Sequence, residues 1–244
     1  MEEPKRKTQI IAIIDDTSYG SCAEAFGVKV ANIFKATLSL VHYKHLGNKE
    51  YFLHKAESED TSMIIMGVDK RGKASAFSLK SALKFMRYSR IPILLVGNEF
   101  PTENQFQQVV LPIDIEKNTK EKSLWASYFS RYYGANIHLL YPKYKDEFLR
   151  KQVQDNLNFI YKLYDNLNVT YQEHQMDEEG ANPDMEAVEK ANFWEATLSV
   201  IMLTQYYSLI DWLFAPKEKY VLQKAGNLPV LCLNPRDDLY VLCT

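Results

Sequence analysis

A chain of 244 residues has room for one large domain or for two of about 120 residues each. Apolar residues make up 46% of the chain and aromatic residues 13%, which excludes a wholly disordered protein. The 29 basic and 31 acidic side chains leave a net charge of −2, so the basic excess of a typical nucleic-acid binder is missing, and we expect no nucleic-acid partner.

The first half predicts strands and helices that alternate along the chain. Strands are expected at 10–14, 36–41, 63–66 and 91–96, with helices after the first strand, around 48–60 and at 78–88. The strands are continuous runs of Ile, Val, Leu and Met, the pattern of strands buried on both faces. Such strands, alternating with amphipathic helices, predict a parallel sheet with helices on each side.

After a polar linker at 97–104, the second half predicts a longer version of the same order. Strands are expected at 109–113, 135–140, around Val169 and Tyr171, at 200–203 and at 228–233. Residues 146–167 carry an apolar stripe at helical spacing. Asn182-Pro183 predicts a helix start, and Gly226 caps a helix predicted over 216–225.

Equal spacings show that the two halves are copies of one unit. The interval from Asp15 to Ala36 equals the interval from Asp114 to Ala135, and the interval from position 66 to 92 equals that from 203 to 229. The offset between the copies is larger for the second pair than for the first. The first half therefore lacks a helix and a strand that the second half has. We predict two tandem doubly wound parallel-sheet α/β domains, 1–98 and 107–244, the first shortened.

These features together resemble the universal stress protein family over essentially the whole chain. The resemblance rests on the Ile14-Asp15 and Ile113-Asp114 strand ends, an Ala-x-[Leu/Ile]-x-Leu second strand reaching His42-Tyr43 or Tyr141, Gly67 after an apolar strand, and an x-Pro-hydrophobic last strand. It implies an adenine nucleotide alpha hydrolase-like fold. It also implies a nucleotide crevice in each copy, between the first strand and the fourth strand of the family pattern, where open α/β sheets bind ligands. In the shortened first half, the strand at 63–66 corresponds to that fourth strand.

Nucleotide-binding members of the family carry Gly-x2-Gly-x9-Gly-[Ser/Thr] after the fourth strand. In the first half Gly67 remains, but Lys70 replaces the second glycine and Lys80-Ser81 stands at the final pair. The resemblance therefore implies that ATP or AMP, if bound, would contact a set of residues in the first half: Asp15, Tyr43, Gly67, Lys70, Lys80 and Ser81.

Two interpretations of this lysine-rich loop stay open. In one, Lys70, Arg71, Lys73 and Lys80 replace lost backbone contacts to phosphate with charge. In the other, the loop is an ordinary solvated surface segment. The second half keeps nothing of the motif, since Thr204 stands for Gly67, the loop at 205–213 is bulky and Pro216-Lys217 stands at the final pair.

Three functions follow as hypotheses. The first is a non-catalytic stress-response protein, a scaffold or sensor without a required cofactor, whose halves associate through 93–96 and 231–233. The second is an adenine-nucleotide sensor, or a slow ATP hydrolase, that uses the first half. The third is a docking module for an unknown protein partner through the aromatic segment 205–214. A homodimer is compatible with each.

Other chemistry is not predicted. There is no Walker loop, nucleophile elbow or His-Glu-x-x-His motif, so no catalytic set and no metal are expected. The three cysteines, Cys22, Cys232 and Cys243, form neither a disulfide framework nor a zinc site. No apolar stretch approaches the roughly 18 residues of a membrane span, so we expect a cytoplasmic protein without a membrane partner.

Overall fold

The computed structural model describes residues 8–203 and 217–235. The chain divides into two compact units, and the boundary lies between Pro101 and Thr102.

The first unit alternates strands with helices. Its elements are β1 Gln9–Ile14, α1 Ser18–Phe34, β2 Thr37–His42, a 3-10 turn Tyr43–His45, α2 Lys49–Ser58, β3 Thr61–Gly67, α3 Leu79–Arg87 and β4 Ile93–Val96. The four strands are parallel and lie in the order β2-β1-β3-β4. The chain steps from β1 to β2 in one direction and from β3 to β4 in the other. Because such crossovers are right-handed, α1 and α3 cover opposite faces of the sheet.

The second unit repeats this plan with one more strand. Its elements are β5 Gln108–Pro112, α4 Thr119–Tyr133, β6 Asn136–Lys143, α5 Glu147–Leu167, β7 Tyr171–Glu179, α6 Pro183–Glu189, a 3-10 turn Ala191–Trp194, β8 Leu198–Met202, α7 Lys217–Ala225 and β9 Val230–Leu233. The strands are all parallel and lie in the order β9-β8-β5-β6-β7. The predicted doubly wound fold with a shortened first copy is confirmed.

Local chemistry explains where the helices begin and end. The side chains of Thr17 and Asn182 accept hydrogen bonds from the amides of Tyr19 and Met185, and so cap α1 and α6. The helices after β1 and β5 end at equivalent positions, Lys35 and Gly134, both left-handed with φ of 52° and 75°. Helix ends of this kind favour glycine, and the second unit has it.

Candidate functional site

The crevice of the first unit lies where its strand order reverses. The chain leaves β1 for β2 on one side and returns to β3 on the other, so the carboxyl ends of β1 and β3 flank this switch point. Open α/β sheets bind ligands at such points. Asp15 follows β1 and Gly67 ends β3, so the fold brings these two predicted residues to the same edge.

The Asp15 carboxylate binds amides of its own chain. Its Oδ1 accepts from the amides of Thr17 and Gly20 at 3.0 and 3.1 Å, which fixes the start of α1. Its Oδ2 accepts from the Ala76 amide at 2.7 Å. The second contact fastens the loop between β3 and α3, residues 68–78, so Asp15 joins two elements that meet at the crevice.

Gly67 is required by packing of the first turn of α1. A Cβ at position 67 would lie 2.0 Å from the carbonyl oxygen of Tyr19, far inside van der Waals contact. A Cβ on Gly20 would meet the Asp15 backbone oxygen at 2.2 Å. The two glycines thus allow helix and strand ends to touch, and the backbone of Tyr19 occupies the space beside Gly67.

Asp69 organises the loop that follows. Its Oδ1 accepts from the Gly72 amide at 2.7 Å and from the Arg71 amide at 3.2 Å, and its Oδ2 accepts from the Ala74 amide at 2.9 Å. Hydrogen bonds from Ala74, Gly72 and Arg71, with one from the Tyr19 hydroxyl, hold the pKa of Asp69 below its ordinary value. Amides that converge in this way form an anion-binding nest, and here the anion is an internal carboxylate.

Phe77, near the end of the loop at 68–78, is buried and packs against other rings. Its ring is 2% exposed and meets the Tyr43 ring edge-on, with 4.7 Å between the ring centres. The Nζ of Lys49 lies 5.0 Å from the centre of the Phe77 ring, a cation–π distance. Tyr43, a predicted contact residue, therefore packs against the loop itself.

The remaining predicted residues have different surroundings. Lys70 is buried, with 3% of its surface exposed, whereas Lys80 is exposed on the first turn of α3. The Ser81 amide donates to Ser78 Oγ at 3.2 Å, and the Ser81 hydroxyl donates to the Ser78 carbonyl at 2.8 Å. The start of α3 is therefore capped by Ser78, the residue that precedes the helix, and the Ser81 amide is engaged.

Sequence reasoning missed three residues of this crevice, namely Asp69, Tyr19 and Phe77. A signal for Asp69 existed, because an aspartate shortly before a glycine such as Gly72 is typical of a turn. No comparable signal existed for Tyr19 or Phe77, since their contacts with Gly67 and Tyr43 join positions that are far apart in the sequence.

The second unit uses its equivalent aspartate differently. Asp114 Oδ1 accepts from the Glu116 amide at 2.9 Å and from the hydroxyl of Thr119, the residue that corresponds to Gly20. Its Oδ2 lies 3.4 Å from the Nζ of Lys122, a lysine with no exposed side-chain surface. The Lys122 ammonium group therefore contacts Oδ2 of Asp114, whereas in the first unit the Ala76 amide contacts Oδ2 of Asp15.

A second carboxylate completes this buried charge cluster. Asp184 Oδ1 lies 3.8 Å from Lys122 Nζ, is buried, and has no hydrogen-bond partner among residues 8–203 and 217–235. Burial raises the pKa of Asp184 to about 6, although the charge of Lys122 opposes this. Burial alone would lower the pKa of Lys122, but the charges of Asp114 and Asp184 raise it above its ordinary value.

Several solved structures share the fold of this chain. A universal stress protein from Archaeoglobus fulgidus superimposes on 93% of this chain and 98% of its own, with a TM-score of 0.67 and 12% identity. The chain has the universal stress protein fold. The resemblance predicted from the strand motifs is thus confirmed at the level of the fold.

Two further matches to the universal stress protein fold come from Pseudomonas aeruginosa. A protein of unknown function from strain PAO1 covers 97% of this chain and 95% of its own at a TM-score of 0.63, and one provisionally named a universal stress protein from strain UCBPP-PA14 covers 97% and 96% at 0.59. Each is 12% identical to this chain. No protein-family model and no curated protein matches the chain.

Within the universal stress fold, the second unit also carries a histidine pair, in which His138 is buried and His174 half-buried. His138 on β6 and His174 on β7 are hydrogen-bonded, with 3.0 Å between Nδ1 and Nε2. His138 Nε2 lies 2.9 Å from Gln108 Oε1, which can only accept, so Nε2 carries the proton and Nδ1 accepts from His174. Both rings lie beside the Trp194 ring. Burial, with the charge of His174, lowers the pKa of His138 to about 4.

We expect this pair to make folding sensitive to acid. The folded pKa of His138 lies below the ordinary value of 6.5, so the unfolded chain binds the proton more readily. The neutral His138 ring therefore stabilises the folded protein above pH ~6.5. Up to ~3 kcal/mol of this stabilisation is lost as the pH falls towards 4. Urea unfolding across this range should show a shallower pH dependence in His138→Gln than in wild type. His54→Gln, an exposed histidine on α2, should leave the slope unchanged, and an equal slope in both variants would refute the assignment.

Other predictions concern segments outside the described residues. The aromatic docking segment 205–214, Thr204 and Cys243 all lie there.

Cys22 and Cys232 are buried free thiols, and burial raises the pKa of Cys22. In the part of the chain that the structure describes, no three His, Cys, Asp or Glu side chains are grouped to hold a metal. None of the helices in residues 8–203 and 217–235 is long and apolar enough to cross a membrane.

Proposed function

We propose that this protein is a non-catalytic stress-response protein that acts as a scaffold or sensor in the cytoplasm. The observation that carries the proposal is the occupancy of the first-unit crevice by the chain itself. The amides of Gly72, Ala74 and Ala76, which a phosphate would need, donate to Asp69 and Asp15. No bound nucleotide is required to satisfy them. Its partner is an unidentified protein or a second copy of the chain.

Titration with ATP and AMP, with and without magnesium, tests this function. We expect no saturable binding heat, no hydrolysis and no rise in the thermal midpoint at millimolar nucleotide. A ligand present at 100 times its Kd stabilises a protein by about 2.7 kcal/mol, so binding would be detected. Saturable micromolar binding with a raised midpoint would contradict the proposal.

An adenine-nucleotide sensor in the first unit is the second candidate. It is supported by the switch-point position of Asp15 and Gly67, and by Lys80, which is exposed beside the loop. If a nucleotide binds there, Lys80→Gln should weaken it while Lys145→Gln in the second unit should not. Gly67→Val is unsuitable as a test, because its side chain would overlap the Tyr19 backbone.

A further inference from the structure

The segment that forms the crevice loop and α3 has an unusual charge pattern. Residues 70–90 contain seven basic side chains and no acidic one, in a chain whose overall charge is −2. Soluble protein surfaces usually mix both signs, which avoids large fields of one sign. This uniformly basic segment is therefore a distinct feature of the first unit.

Three lysines of this segment are exposed and have no side-chain partner in the part of the chain that the structure describes. Lys73 lies in the loop, and Lys80 and Lys84 lie one turn apart on α3, so the latter two share a face of the helix. None of the three forms an ion pair or hydrogen bond with any residue in 8–203 or 217–235. Some other exposed lysines are paired, for example Lys44 with Asp16 at 2.7 Å and Lys145 with Glu179 at 2.8 Å.

Three aspartates of the first unit, at the crevice and beside it, are already engaged. Asp69 accepts from three loop amides, and Asp15 accepts from Ala76 and the start of α1. Asp16 accepts from Lys44. These carboxylates are thus hydrogen-bonded within the chain, and the positive charges of the three lysines remain exposed to solvent.

We propose that Lys73, Lys80 and Lys84 form a docking face, here called the basic face, for an acidic segment of a protein partner. Charge complementarity sets the sign of the partner. The three cations of this face are all lysines, whereas recognition of phosphate and nucleic acid favours the bidentate fork of arginine and stacking on aromatic rings. The carboxylates of an acidic peptide suit the ammonium groups of lysine, which are hydrated point charges on flexible side chains.

A binding assay with a fluorescent poly-glutamate peptide tests the basic face, using the full chain at low ionic strength. We expect saturable binding that weakens steeply with added salt. The triple variant Lys73→Gln, Lys80→Gln, Lys84→Gln should bind about tenfold or more weakly. The control triple Lys55→Gln, Lys145→Gln, Lys190→Gln removes the same charge from exposed, paired lysines and should change affinity by less than about threefold.

Each possible result either supports or contradicts the basic face as a docking site for an acidic segment. Equal weakening in both triple variants would reduce the effect to net charge and overturn the basic face, as would absence of peptide binding to wild type. Tighter binding of duplex DNA, or of vesicles with anionic lipid, than of the peptide would overturn the choice of partner. Nucleotide titration of the same variants is a separate readout, so failure here and failure of the proposed function are distinguishable.

Discussion

Gly67→Ala should lower the free energy of unfolding by about 3 kcal/mol or more. That methyl group would lie 2.0 Å from a backbone oxygen of Tyr19, which cannot move without displacing the first turn of α1. The same turn carries Gly20, which touches Asp15, so the strain would reach both sides of the crevice. Urea unfolding followed by circular dichroism measures the loss.

Gly134→Ala is the matched control for this prediction. Gly134 ends α4 with φ of 75° and open space around its Cβ direction, so alanine there would meet conformational strain without a clash. We expect a loss of about 1 kcal/mol. Comparable losses at positions 67 and 134 would show that close packing of Tyr19 does not determine the glycine at 67.

Lys122→Met should destabilise the protein by about 2–4 kcal/mol at neutral pH. Methionine matches much of the length of lysine but removes the charge that lies between Asp114 and Asp184. Each carboxylate keeps about a fifth of its side chain exposed, 22% and 23%, so the loss should fall below that of a fully buried pair. Chemical unfolding at pH 8 and pH 5 measures it.

The pH dependence identifies the cause. The pKa of Asp184 is already raised to about 6, so acid neutralises the carboxylate that the lysine leaves behind. The loss in Lys122→Met should therefore be smaller at pH 5 than at pH 8, and Asp184→Asn in the same chain should restore part of it at pH 8. An equal loss at both pH values, with no recovery in the double variant, would assign the effect to packing instead of charge.

Much of the fold was predictable from local pattern. The apolar runs at 63–66 and 200–203 correspond to β3 and β8, and the stripe over 146–167 became α5 at Glu147–Leu167. Helix starts agreed closely where a capping residue was present, as at Asn182. The short strand predicted near Val169 and Tyr171 extends to Glu179, because pairing with β6 holds a polar segment that has no apolar pattern of its own.

The candidate site was only partly predictable. Asp15 and Gly67 lie at the switch point, where the strand order alone places them. The sequence could not indicate that Asp15 binds Ala76 or that Tyr19 fills the space beside Gly67, since these contacts join residues that are far apart along the chain. The Lys122 and Asp184 pair likewise joins α4 to α6, and neither residue belongs to a recognisable motif.

The amino-acid sequence by itself determined the alternation of strands and helices, the duplication and the doubly wound α/β fold class, because periodicity and spacing are properties of the chain order. The tertiary structure alone decided what the crevice contains. Whether an amide donates to a phosphate or to Asp69 depends on which group reaches it in three dimensions, and a carboxylate that shares the chain is always within reach. In this protein the amides of Gly72, Ala74 and Ala76 donate to Asp69 and Asp15, two carboxylates of the same unit.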